Sequence, residues 1–162
     1  AQTIKSVKEV WWDIRPHPTF GTVEIRMCDG IPTLREVRAI AALAQTLIVW
    51  MDQRVDAGEP LPDMPSWVAR ENKWRAARYG LDGRVMLDTT GRTQPFRENI
   101  AEIVEMLSPV ATQLGTLDAL QSVREILDTG SSANRQRAVV AQGGSLNDVV
   151  DLLREELAAD LR

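Results

Sequence analysis

One segment, Thr22 to Cys28, carries a strict β-strand alternation in a chain whose other patterns are mostly helical. Val23, Ile25 and Met27 fall on one face, and Thr22, Glu24, Arg26 and Cys28 on the other. Asp29-Gly30 then supplies turn chemistry. A strand cannot leave its backbone donors and acceptors without partners, and two strands alone are only marginally stable. Two arrangements answer this need. Lys8 to Ile14, with Val10, Trp11, Trp12 and Ile14, forms a hairpin with it, the chain breaking around His17 at Pro16 and Pro18. Otherwise its neighbours lie in chain outside these 162 residues.

From Thr33 the period becomes helical. Thr33 and Glu36 make a capping box, and Val37, Ile40, Ala41, Ala44, Leu47, Ile48, Met51 and Val55 line one stripe. The proline-rich stretch from Gly58 to Pro65 leads to Ser66, the expected N-cap of a second helix that ends before Gly80. Gly80 to Gln94, with Gly83, Gly91 and the apolar patch Val85 to Leu87, reads as a long loop or a small hairpin. Pro95 opens a helix expected to kink at Pro109 and close at Gly115. Thr116 caps the next, which Gly130 ends. Ser131 or Ser132 caps a short one ending at Gly143, and Ser145 with Asp148 starts the last. The domain organisation is thus residues 1–30 as strands and residues 31–162 as mainly helical, within one catalytic domain.

Composition excludes several classes. A single cysteine, Cys28, forbids an internal disulfide framework and fits a reducing, cytoplasmic setting. The longest apolar run, Ala39 to Trp50, is broken by Gln45 and Thr46, so no membrane span is expected. The net charge of −4 opposes general polyanion binding. The start lacks both a signal-type apolar region and an initiator methionine, which reads as a cleaved, trimmed or partial chain.

Several residues could carry chemistry. Glu24 and Arg26 share a strand face, where they are either an ordinary solvated pair or a site in which the carboxylate holds Mg²⁺ and the guanidinium fork holds an anion. His17 stands between two prolines, either as a surface residue or as an acid–base group; with no second histidine, histidine-pair zinc sites are excluded. Trp67, Glu71, Trp74 and Arg78 line one face of the second helix, with Arg70, Lys73 and Arg75 around it. They form a packed and solvated helix, a wall facing phosphates, or a nucleic-acid surface that the acidic total charge disfavours. Asn134, Arg135 and Arg137 lie in the first turns of a helix, where cations oppose the dipole, so an inter-helix salt bridge or an anionic ligand is called for. Neither a P-loop nor a Rossmann glycine fingerprint is present.

Arg15-Pro16-His17-Pro18-Thr19-Phe20-Gly21-Thr22-Val23-Glu24-Ile25-Arg26, followed by Cys28-Asp29, resembles the C-terminal part of carboxylate-amine ligases of the glutamate-cysteine ligase type 2 family. Glu71 to Gly83 resembles a second block of that family, and Ser132-Ala133-Asn134-Arg135-Gln136-Arg137 a late Ala-x-x-Gln-Arg segment. The resemblance implies an α+β fold like glutamine synthetase and the guanidino kinases: an antiparallel sheet with a polar concave face and helices packed on its back, this chain being the helix-rich C-terminal part. It implies ATP and Mg²⁺ as cofactors, Glu24 as a metal ligand, and Arg26 and His17 as catalytic residues. Arg75, Arg78 and Arg135 are implied to bind the nucleotide.

The implied reaction moves the γ-phosphoryl group of ATP to a carboxylate such as glutamate, and an amine such as cysteine then attacks the acyl phosphate. The family's acidic early strands have no counterpart before Lys8, so the chain is expected to be incomplete as a catalyst. Its expected partners are small-molecule substrates, an N-terminal part of the same enzyme and, as a further option, a homo-oligomer, with no nucleic acid and no membrane. The alternative is a helical interaction or scaffold module that keeps part of the fold without catalysis.

Overall fold

The computed structural model describes residues 4–6 and 9–161, and the chain divides into two compact units, Ala1–Ile31 and Pro32–Arg162. The first residue of the expected strand, Lys8, lies outside the described residues.

The first unit holds an antiparallel hairpin of β1 (Ile14–His17) and β2 (Thr22–Ile25), in which Arg15 faces Glu24 and His17 faces Thr22. The strand partner of Thr22 to Ile25 is therefore Ile14–His17, and not Lys8 to Ile14. Pro16 does not break the strand, and the reason is its place in the ladder. The Arg26 amide donates to the Asp13 carbonyl at 2.7 Å. Continuing that alternation makes Arg15 with Glu24 and His17 with Thr22 the hydrogen-bonded pairs. Pro16, opposite Val23, falls on a non-bonded pair where a missing N–H costs nothing. The turn is closed by the Phe20 amide to the His17 carbonyl at 3.1 Å and by Gly21 at φ +62°.

The two faces separate as the alternation requires, but the apolar one is uncovered. Ile14 and Val23 are each 52% exposed and Met27 56%, whereas the Arg15 side chain on the polar face is only 17% exposed.

The second unit runs α1 (Leu34–Asp56), α2 (Ser66–Tyr79), a 3-10 turn (Gly80–Asp82), β3 (Arg84–Met86), β4 (Thr93–Pro95), α3 (Phe96–Leu114), α4 (Leu117–Thr129), α5 (Ser132–Ala141) and α6 (Leu146–Asp160). Its core lies where α1, α3 and α4 meet: Ala39, Ala42, Val104, Leu107, Ala111, Ala119, Leu120 and Val123. The alanines let the helix backbones approach closely while Leu107 and Leu120 fill the centre.

Thr33 caps α1 as expected, its Oγ1 accepting from the Glu36 amide at 3.2 Å, but the return bond to the Glu36 carboxylate, at 2.9 Å, comes from the Thr33 hydroxyl where a capping box would use the backbone N–H. Its buried face is rotated from the expected stripe: Glu36, Ala39, Ala42 and Thr46 are buried, while Val37, Ile48 and Val55 face out. Ala39 to Trp50 is apolar almost all round, so periodicity alone does not choose the face.

The stretch after Gly80 is a small hairpin, β3 pairing antiparallel with β4. Asn72 ties it to α2, its amide donating to the Met86 carbonyl at 2.9 Å and its oxygen accepting from the Met86 amide at 2.7 Å. Pro65, and not Ser66, occupies the N-cap of α2. Helix α3 starts after Pro95, runs through Pro109 and ends at Gly115 in the left-handed conformation. Ser131 caps α5, and Ser145 with Asp148 closes a full capping box on α6. Together these elements make a helix-rich chain with two small antiparallel sheets, compatible with the α+β class. Among the described residues, no helix is long and apolar enough to cross a membrane.

Candidate functional site

The polar face of the first hairpin gathers Arg15, Glu24 and Arg26, and the ladder that sets Asp13 opposite Arg26 brings Asp13 to the same face. Its register sets Arg15 opposite Glu24, and period-two spacing sets Arg26 beside it. Glu24 Oε2 accepts from Arg15 Nε at 2.9 Å and Nη2 at 2.5 Å, and Oε1 accepts from Arg26 Nη1 at 2.7 Å. The Arg26 guanidinium also lies 4.6 Å from the Trp11 ring centre, a cation–π contact that fixes its plane. Counting Asp13, two carboxylates and two guanidiniums share this face.

That donor set does not by itself fit a divalent cation. Both Glu24 oxygens are held by guanidiniums, and no group of three or more His, Cys, Asp or Glu side chains suited to a metal occurs among the described residues. The arrangement instead favours an oxyanion. Arg26 Nε and Nη2 have no hydrogen-bond partner among the described residues, and the Glu24 salt bridge holds the guanidinium in place.

His17 belongs to the same hairpin and stacks on Phe20 at 4.5 Å between ring centres, with 21° between planes. Its Nδ1 is buried without a hydrogen-bond partner among the described residues. Cys28 is an exposed free thiol.

The three expected nucleotide-binding arginines lie in the second unit and are not equivalent. Arg75 Nε pairs with Glu71 at 2.7 Å, one helical turn away. Arg78 sits over the Tyr79 ring at 5.7 Å and makes no ion pair among the described residues.

Arg135 uses every N–H it has. Nε and Nη2 donate to Glu156 at 2.5 and 3.2 Å, Nη1 donates to Glu36 at 2.9 Å and to the Gly130 carbonyl at 3.0 Å, and Nη2 also reaches Glu36 at 3.1 Å. Donating to Glu156 first and Glu36 second raises its pKa above the ordinary arginine value. Of the two readings the sequence left open for this cation, the structure displays the inter-helix salt bridge, joining α5 to α1 and α6. A cavity of about 260 Å³ beside it is lined by Thr33, Glu36, Ile126, Arg135, Glu156 and Asp160, among others.

Sequence reasoning did not single out Arg15 as a site residue. Its signal is the strand register, which becomes visible only once Pro16 is allowed inside a strand.

Comparison with known proteins agrees with the motif blocks. The family described as "Glutamate-cysteine ligase family 2 (GCS2)" matches residues 1–152. A protein of Thermobifida fusca named "Putative glutamate--cysteine ligase 2" is 55% identical over 159 residues, 98% of this chain and 40% of its own length. A similarly named protein of Frankia alni is 52% identical over 97% of this chain and 41% of its own length, and one of Mycobacterium tuberculosis is 47% identical over 95% and 41%. The chain thus spans about 40% of the length of the curated relatives it matches. With its hairpin, its second block and its late arginine segment all inside the matched region, the chain belongs to glutamate-cysteine ligase family 2.

Proposed function

We propose that the protein to which this chain contributes is an ATP-dependent carboxylate-amine ligase of glutamate-cysteine ligase type, with the glutamine synthetase-like fold the resemblance implies. Membership of the family supports the ligase reading. The observation that carries the chemistry is the Arg15–Glu24–Arg26 cluster, in which the Glu24 carboxylate orients an Arg26 guanidinium whose Nε and Nη2 stay free to meet an oxyanion.

ATP enters as its Mg²⁺ chelate. The γ-phosphoryl group passes to the side-chain carboxylate of glutamate, giving ADP and an acyl phosphate. The amine of cysteine then attacks the acyl carbon, loses a proton, and expels phosphate as the amide forms. In this reading Arg26 stabilises negative charge on the phosphoryl oxygens, Glu24 holds Arg26 in place, and His17, on the same hairpin, is the acid–base candidate. Arg78 is the best placed of the three helical arginines to meet a nucleotide phosphate, since Arg75 and Arg135 are engaged by carboxylates. No step is routed through the metal, because this chain's residues do not cage one. Carboxylates from the remainder of the enzyme are the natural additional donors, and the cytoplasm is the natural setting for a thiol substrate.

The experiment is turnover by the full-length enzyme carrying this chain. Arg26→Ala is expected to lower kcat by about 10² to 10³, the usual cost of losing one charge-stabilising donor. Unchanged kcat would remove Arg26 from the mechanism.

A scaffold reading is favoured by one observation, the internal saturation of Arg135. Thermal-shift titration of the same enzyme with MgATP separates the two: stabilisation supports the ligase, and its absence supports the scaffold.

A further inference from the structure

Arg15 is the most enclosed member of the hairpin's charged trio, its side chain 17% exposed against 25% for Arg26 and 42% for Glu24. Its backbone is fixed from two directions. It lies in a hydrogen-bonded cross-strand pair with Glu24, and the proline that follows confines it to extended geometry. Directly opposed side chains on one face of an antiparallel pair are immediate neighbours, so Arg15 meets Glu24 before any other element is considered.

The effect of that placement is visible at the carboxylate. Arg15 Nε and Nη2 both donate to Glu24 Oε2, at 2.9 and 2.5 Å, which commits that oxygen. Oε1 is left for Arg26 and accepts a single bond from Nη1 at 2.7 Å. A carboxylate and a guanidinium that meet without competition favour the two-pronged arrangement. Here Arg15 denies it to Glu24 and Arg26. Either form of the fork, across Nε and Nη2 or across Nη1 and Nη2, would occupy Nη2 and close the Nε–Nη2 edge of Arg26 to a ligand. Trp11, its ring centre 4.6 Å from the same guanidinium, restrains the plane without using an N–H.

Resting on the ligase reading above, we infer that Arg15 is a positioning residue of that reaction: by holding Glu24 Oε2 it limits Glu24 to one bond with Arg26 and keeps the Nε–Nη2 edge of Arg26 open to an oxyanion. Arg15 acts through Glu24 and touches no reacting atom.

Two measurements on the full-length enzyme carrying this chain test it. In a double-mutant cycle, Arg15→Met is expected to lower kcat for ligation about tenfold, less than loss of the donor itself, and to have an effect within about twofold once Arg26→Ala is present. A residue that merely keeps the hairpin folded would lower both backgrounds alike. Asp13 shares the face, two residues before Arg15, and Asp13→Asn is expected to leave the Arg15→Met effect in place. The second measurement, a crystal structure of Arg15→Met, needs no turnover: Glu24 is expected to meet Arg26 with both oxygens and cover Nη2. Arg15→Gln is read in the same way where Arg15→Met does not fold. An unchanged kcat, an equal loss in both backgrounds, disappearance of the effect in Asp13→Asn, or a Glu24 that keeps its single bond to Nη1 would each overturn the inference. An unsubstituted enzyme that forms no amide from glutamate, cysteine and MgATP would overturn the ligase reading instead, and the crystal structure would still decide what Arg15 does to Glu24.

Discussion

Arg135 and Glu36 stand 99 residues apart in the chain and meet in a two-pronged ion pair, Nη1 to Oε1 at 2.9 Å and Nη2 to Oε2 at 3.1 Å. Glu36 also accepts from the Thr33 hydroxyl at the N-terminus of α1, and Glu156 on α6 completes the triad. One guanidinium thus fixes three helices whose direct apolar contact is limited, since α5 has no buried residue of its own.

Removing that cation leaves two nearly buried carboxylates facing each other. Arg135→Met is expected to destabilise the fold by about 3 kcal/mol, the scale for breaking one partner of a buried pair. Arg135→Lys restores charge but not the fork, so it recovers only part of the loss. Urea denaturation measures both; wild-type stability in Arg135→Met would show that α5 is held by something else.

Thr46 lies at the centre of the α1 face with its hydroxyl buried and without a hydrogen-bond partner among the described residues. Thr46→Val removes the orphaned group at nearly constant volume and is expected to stabilise by about 1 kcal/mol. At the same core, Leu107→Ala or Leu120→Ala opens a cavity and is expected to cost about 2–5 kcal/mol. Midpoints of thermal unfolding give the sign of each.

Asp148 accepts from both the hydroxyl and the amide of Ser145, and the side-chain bond first, the backbone bond second, hold its pKa below the usual 3.8. A lowered folded-state pKa means that its stabilising contribution is complete above pH 3.8 and is lost as pH falls through the folded value. Ser145→Ala is expected to raise the Asp148 pKa toward 3.8, which carboxyl NMR titration reads directly. An unmoved titration curve would show that the capping box does not persist in solution.

Local chemistry made much of this architecture readable. Period-two alternation locates Thr22 to Ile25 and its two faces, and the Thr33 cap and the Ser145 box locate helix starts. Pro16 obscured the partner strand because a proline's tolerance depends on whether its pair is hydrogen-bonded, which is a property of register and not of the residue. The buried face of α1 was obscured because alanines and leucines surround the helix, and packing against α3 and α4 decides between them. Arg135 had two open readings because its partners, Glu36 and Glu156, come from distant helices. Glu24 looked like a metal ligand from the motif, and the cross-strand arrival of Arg15 is what changes its surroundings.

The most direct measurement follows oxygen. The full-length enzyme is supplied with glutamate labelled with ¹⁸O in its side-chain carboxylate, together with cysteine and MgATP. Activation through an acyl phosphate transfers one labelled oxygen to inorganic phosphate for each amide formed, and Arg26→Ala slows both products together. Amide formation with unlabelled phosphate would contradict the acyl-phosphate route and the role assigned to the hairpin.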